Sequence, residues 1–136
     1  MTLCDTGPLV TLVDRGDPHH ASCVSSLDGL PPDPLLTTWP CFTEAMYLLD
    51  RAGGPPAQEE LWSYLEDDLL VLHEPGAEEW KRMRILMRRY HDAPMDLADA
   101  SLVVAAECLG LRRIFTVDGH FRAYRINGTD AFEIVP

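Results

Sequence analysis

The 136-residue sequence predicts an α/β fold built on a mainly parallel sheet of four to five short strands. Three observations lead there. Short apolar runs alternate with longer segments of helical period, the pattern of strands joined by crossover helices. The runs are apolar throughout rather than alternating, as strands buried on both faces are. Turn or helix-start residues follow them closely, so the connections are short.

Thr2 to Asp5 is the first strand, and Asp5 ends it. Thr6, Gly7 and Pro8 make a tight turn into a brief helix over Leu9–Val13. Asp14–Pro18 is a polar turn, His19–Leu27 a second helix and Gly29–Pro34 a proline-rich loop. The adjacent His19 and His20 point in different directions on a helix, so they do not share a metal. Leu35–Thr38 is the second strand. Pro40 suits the first turn of a helix that runs to about Arg51, where Gly53 and Gly54 stop it. Phe42, Ala45, Met46 and Leu49 form its apolar stripe, and Glu44 interrupts that region one turn from the helix start.

Pro55–Asp68 reads as a helix with Leu61, Trp62 and Leu65 inside, followed by a strand over Leu69–His73. Gly76–Tyr90 is a basic helix; Trp80, Met83, Met87 and Tyr90 recur at helical spacing and are expected to face inward. Lys81, Arg84 and Arg88 line another side. Arg113–Val117 is a strand that runs directly into Asp118-Gly119, and Phe132–Val135 is the last strand.

Leu97–Leu109 is apolar on nearly every side and is closed by Gly110, which marks a buried helix. Asp96 and Asp99 stand at its start, three residues apart and therefore on one face of the first turn. Asp96 fits the role of N-cap. Asp99 lies inside the turn, where an unpaired carboxylate costs several kcal/mol or gives up its charge. A cation removes that difficulty.

Composition narrows the function classes. The hydrophobic content of 46% and charged content of 24% are those of an ordinary globular chain, and the length suits one domain spanning residues 1–136. The N-terminus lacks a secretory pattern and no apolar run approaches membrane length, so a cytoplasmic protein is expected. Cys4, Cys23, Cys41 and Cys108 form no Cys-x-x-Cys pair, which disfavours thiolate metal sites and disulfides. A net charge of −11 argues against a passive nucleic-acid coat. Five of the eleven basic residues nevertheless fall between Lys81 and Arg89, a local strip able to guide a polyanion. Solvated charge on an outer helix face is the plainer reading of that strip.

Each acidic residue singled out also has an ordinary reading: a turn or cap aspartate for Asp5 and Asp118, a solvated helical glutamate for Glu44. Their common placement is what gives them weight. Right-handed crossovers bring the strand ends to one edge of a parallel sheet. Asp5 and Asp118 follow strands; Glu44, Asp96 and Asp99 lie in first turns entered from that edge. Clustered carboxylates raise one another's pKa, and a divalent cation resolves the repulsion. Oxygen-only ligands select Mg²⁺ or Mn²⁺, ions that serve phosphate chemistry by activating water and stabilising a leaving oxygen.

The chain resembles the PIN-domain nucleases, specifically the VapC toxins of type II toxin–antitoxin pairs. The carriers are Leu3-Cys4-Asp5-Thr6, Thr43-Glu44-Ala45, Asp96-Leu97-Ala98-Asp99-Ala100-Ser101-Leu102 and Thr116-Val117-Asp118-Gly119-His120-Phe121, in that order and spacing. The resemblance implies a three-layer α/β/α sandwich and an endoribonuclease that hydrolyses RNA phosphodiesters with Mg²⁺ or Mn²⁺. It implies an acidic quartet of Asp5, Glu44, Asp99 and Asp118, serving both as metal ligands and as the catalytic set. Thr6 and Thr116 match supporting hydroxyls, and Asp96 is a looser match. A homodimer and a VapB-like antitoxin that inserts a segment into the acidic pocket are implied as partners, with RNA as substrate and Lys81, Arg84 and Arg88 as its candidate contacts. Cys4 departs from the family's usual aliphatic residue, and the strong acidity is less typical.

Two rival classes are weaker. An aspartyl-nucleophile phosphatase wants a second Asp two residues after Asp5, where Gly7 stands. A receiver module wants paired acids in its first turn and a lysine after a late strand, and has neither here. A catalytically silent PIN-like module that binds protein or RNA is the remaining alternative, separable by whether the pocket takes up Mn²⁺.

Overall fold

The computed structural model describes Met1–Pro136. In chain order the elements are β1 (Thr2–Cys4), α1 (Thr6–Val13), α2 (His20–Asp28), β2 (Leu35–Thr38), α3 (Trp39–Gly53), α4 (Pro55–Glu66), β3 (Leu70–His73), α5 (Glu79–Arg89), α6 (Leu97–Leu109), β4 (Arg113–Phe115), β5 (Arg125–Ile126), β6 (Asp130–Ala131) and β7 (Glu133–Val135). Five strands pair in the order β3-β2-β1-β4-β7, and every pairing is parallel. The expected sheet is therefore present.

Strand periodicity separates two cores. Leu3, Leu36 and Ile114 point to one face and pack with α6, Leu86 of α5, Phe121 and Tyr124. Their neighbours Cys4, Leu35 and Phe115 point to the other face and pack with α1, α3, α4 and Cys23 of α2. Helices thus cover both faces, giving the three-layer α/β/α sandwich. Helix α6 is the most enclosed: every residue from Ala98 to Ala106 is buried. Arg82 of α5 fastens it with two hydrogen bonds of 2.9 Å to Glu107.

The strand order contains a switch point. From β1 the chain builds outward to β2 and β3, whereas β4 pairs on the opposite side of β1. Connections leave the carboxyl ends of β1 and β4 in opposite directions, which opens a crevice there. Asp5 and Asp118 follow those two strands.

Several expectations are corrected. Trp62 and Trp80 are 46% and 57% exposed rather than inward-facing; Leu61 is buried as expected, and Leu86 fills the core position on α5. Strand β3 is an edge strand whose residues after Leu70 are only half-buried, and Leu69 lies exposed before it. Helix α1 begins at Thr6, not Leu9, because Asp5 caps it directly. Strand β4 ends at Phe115, leaving Val117 exposed. Phe132 is a core residue preceding the last strand, and an antiparallel β5–β6 hairpin comes before it. No helix is long and apolar enough to cross a membrane.

Candidate metal centre

The site is assembled at the switch point by backbone and hydroxyl contacts. Asp5 N–H donates to the Phe115 carbonyl at 3.0 Å, joining the end of β1 to the end of β4. Asp5 Oδ1 accepts from Thr6 N–H at 2.8 Å, the N-cap of α1. Its Oδ2 accepts from the Thr116 hydroxyl at 2.8 Å. The same Thr116 oxygen accepts from Asp118 N–H at 3.0 Å, so one hydroxyl ties together both carboxylate-bearing turns. Gly7 lets the two turns meet closely: a Cβ there would lie 2.9 Å from Val117 Cγ2.

Glu44 and Asp99 arrive from the helices. The Thr6 hydroxyl lies 3.3 Å from Glu44 Oε2 and 3.4 Å from the Cys41 carbonyl, placing Glu44 at the exposed lip. Asp96 caps α6, its Oδ1 accepting from Asp99 N–H at 2.8 Å; such a cap contributes about 1 kcal/mol. Asp99 itself is buried, and its Oδ2 accepts from the Tyr124 hydroxyl at 2.8 Å. Behind it the buried Thr38 and Ser101 hydroxyls meet at 2.6 Å and hold α6 against the end of β2. Asp118 caps a 3₁₀ turn over Gly119–Arg122, accepting from His120 N–H at 2.9 Å, and His120 Nδ1 lies 3.1 Å from its other oxygen.

The electrostatics are those of crowded acids. Burial pushes the Asp99 carboxyl up to about 7; Asp96 and Asp5 add to that, while the Tyr124 hydrogen bond opposes it. Burial also raises Asp5, against the bonds from Thr116 and Thr6, and Asp118 and Glu44 push it further. Asp5, Glu44 and Asp99 form no ion pair with any Lys, Arg or His, and Asp118 pairs only with His120. A cluster of carboxylates without a resident counter-charge favours an external cation. Ligand atoms of Asp99, Asp118 and His120 all lie within 4.8 Å of one another. This acidic cluster can hold a metal ion, and its oxygen-rich donor set suits a hard divalent ion.

Asp5 thus lies near enough to Glu44, Asp99 and Asp118 to feel their charge, with Thr6 bonded to Asp5 and Glu44 and Thr116 to Asp5 and the Asp118 backbone, while Asp99, Asp118 and His120 form the close ligand group. Asp96 stands beside the group with one oxygen engaged as the helix cap. The basic strip lies apart and is partly used up: Lys81 pairs with Glu78 at 2.6 Å, and Arg82 with Glu107. Arg84 and Arg88 form no ion pair and line a shallow groove with Trp80, Met83 and Met87 that runs to Leu97. Leu97 also lines the neighbouring cleft, which holds Glu44 and Asp96. Tyr124 was not legible as a site residue. Its only sequence signal is the Phe121–Tyr124 spacing after Asp118, and its bond to Asp99 spans 25 positions.

No family model matches the chain. It is 29% identical to Ribonuclease VapC26 of Mycobacterium tuberculosis over 135 residues, covering 98% of this chain and 99% of that one. Its fold is similar to that of Mycobacterium tuberculosis VapC20, described as a toxin cleaving the sarcin–ricin loop, with a TM-score of 0.85 over the full length of both chains at 20% identity. VapBC2 of Rickettsia felis, solved bound to a promoter DNA fragment, superposes with a TM-score of 0.62 at 13% identity, over 99% of this chain and 98% of that one. Along its whole length the chain is thus similar in sequence to a VapC ribonuclease, and its fold is that of the solved VapC toxins.

Proposed function

We propose that the protein is a metal-dependent endoribonuclease, the toxin of a toxin–antitoxin pair, acting in the cytoplasm as a single PIN domain. The observation that carries the reading is the charge coupling of buried Asp5 and Asp99, with Asp118 within ligand distance of Asp99, and no cationic side chain paired with the two buried acids. The relative's name supplies the substrate class.

Asp5, Asp99 and Asp118, with Glu44 at the lip, would hold Mg²⁺ or Mn²⁺. Such an ion makes water a competent nucleophile near neutral pH and offsets charge on a scissile phosphodiester. The protein's own contribution is positional. Thr116 fixes the Asp5 carboxylate and the Asp118 backbone, Thr6 steadies Glu44, and Tyr124 holds Asp99 so that its other oxygen faces the pocket. Arg84 and Arg88 sit where an RNA backbone leaving the pocket past Leu97 would meet positive charge. The exposed rings of Trp39, Tyr47 and Trp80 offer apolar contact area for a VapB-like antitoxin and a second protomer.

The test is RNA cleavage by the purified, antitoxin-free protein with Mn²⁺, against Asp5→Asn and Asp99→Asn. Cleavage should fall by roughly 10³-fold or more in both variants, as when part of a cooperating catalytic unit is lost. Cleavage that survives unchanged in either variant refutes the assignment.

A further inference from the structure

We propose that His120 is a further ligand of this cation and that it biases the centre toward Mn²⁺ over Mg²⁺. The inference rests on the metal-nuclease reading above and adds to it a nitrogen donor in an otherwise all-oxygen set.

His120 has no other structural task. Its side chain is 46% exposed, and its ring is engaged only by Asp118. The 3₁₀ turn over Gly119–Arg122 aims it: Asp118 Oδ1 accepts from the His120 backbone N–H, and Asp118 Oδ2 lies 3.1 Å from ring Nδ1. The contact sets ring Nδ1 beside the Asp118 carboxylate, so that this nitrogen and a carboxylate oxygen can turn to one ion.

Distances agree. The ligand atoms of Asp99, Asp118 and His120 lie within 4.8 Å of one another. Two ligands on opposite sides of an ion, each at about 2.1–2.2 Å, stand roughly 4.2–4.4 Å apart. Side-chain movement of a few tenths of an ångström therefore closes the set, and an exposed ring on a short turn moves freely by that much. The four other histidines are committed or remote: His73 bonds Glu79, His20 bonds the Thr11 carbonyl, His91 pairs with Asp92, and His19 stands at the start of α2. Imidazole binds first-row transition ions better than Mg²⁺, which prefers oxygen and keeps its water. Nitrogen in the shell should therefore favour Mn²⁺.

The experiment uses the untagged full chain, stripped with EDTA and loaded with one equivalent of Mn²⁺. Pulsed electron paramagnetic resonance reads ¹⁴N coupling to the bound ion, and calorimetry reads Mn²⁺ and Mg²⁺ affinity. The wild type should show coupling from a directly bound imidazole, and His120→Gln should lose it. The same substitution should weaken Mn²⁺ binding roughly tenfold or more and Mg²⁺ binding by less than that factor. Mn²⁺ bound to the wild type without ¹⁴N coupling, or coupling that persists in His120→Gln, overturns the ligand assignment and leaves the nuclease reading intact. Mn²⁺ binding that is absent, or indifferent to Asp99→Asn, overturns both.

Discussion

Replacing Asp99 with asparagine should make the metal-free protein more stable, and increasingly so toward alkaline pH. The residue is 6% exposed. Burial moves its pKa from 3.8 to about 7. Between those two values the folded chain keeps a proton that the unfolded chain has already released. Stability therefore falls as pH climbs from about 4 to about 7, then levels off. At 1.36 kcal/mol per pH unit, a displacement of about three units is worth on the order of 4 kcal/mol. Asparagine keeps the shape and an oxygen for the Tyr124 hydroxyl but carries no charge, so the variant escapes the loss. Urea unfolding in EDTA at pH 5 and pH 8 measures it. The variant should lead by about 1–2 kcal/mol at pH 5 and by on the order of 4 kcal/mol at pH 8. Mn²⁺ at about 100 times its Kd should then stabilise the wild type by about 2.7 kcal/mol and leave the variant unmoved. Equal stability at pH 8, or the same gap at both pH values, would refute the argument from burial. The expected result is a stability sacrifice at a functional carboxylate.

Other consequences follow from single contacts. Tyr124→Phe keeps the ring packed on Phe121 and Tyr90 but removes the hydroxyl from Asp99; unfolding free energy should change by about 1 kcal/mol, while Mn²⁺ affinity by calorimetry falls roughly tenfold. Gly7→Ala places a methyl 2.9 Å from Val117 Cγ2; because Val117 is exposed and able to shift, stability should drop by less than about 1.5 kcal/mol, yet RNA cleavage should fall further as the Asp118 turn is displaced. The double variant Arg84→Ala/Arg88→Ala should raise KM for RNA and flatten its dependence on salt, by a slope of roughly one per lost phosphate contact, with Mn²⁺ affinity unchanged.

The sheet was legible because its strands are apolar on both faces, a pattern that only a covered parallel sheet explains. The same holds for α6, where Asp96 and Gly110 mark both ends. The placement of the acids was legible in part: Asp5 and Asp118 stand just after β1 and β4, and Glu44 and Asp99 lie in the early turns of α3 and α6. Other features depend on where the chain finds partners. Trp62 and Trp80 share the helical stripe with core residues, but periodicity defines a stripe without fixing which edge of it turns inward, and Leu61 and Leu86 are the residues buried. The β5–β6 hairpin rests on two-residue strands, too short for alternation to register. Tyr124 reaches Asp99 only after the segment following β4 folds across α6.

Anomalous diffraction from crystals grown with Mn²⁺ tests the central claim most directly. A peak should lie among Asp5, Asp99 and Asp118, about 2.0–2.3 Å from a carboxylate oxygen of each of the first two. A map with no peak at that edge of the sheet, or with Mn²⁺ only at surface acids elsewhere, would contradict the account.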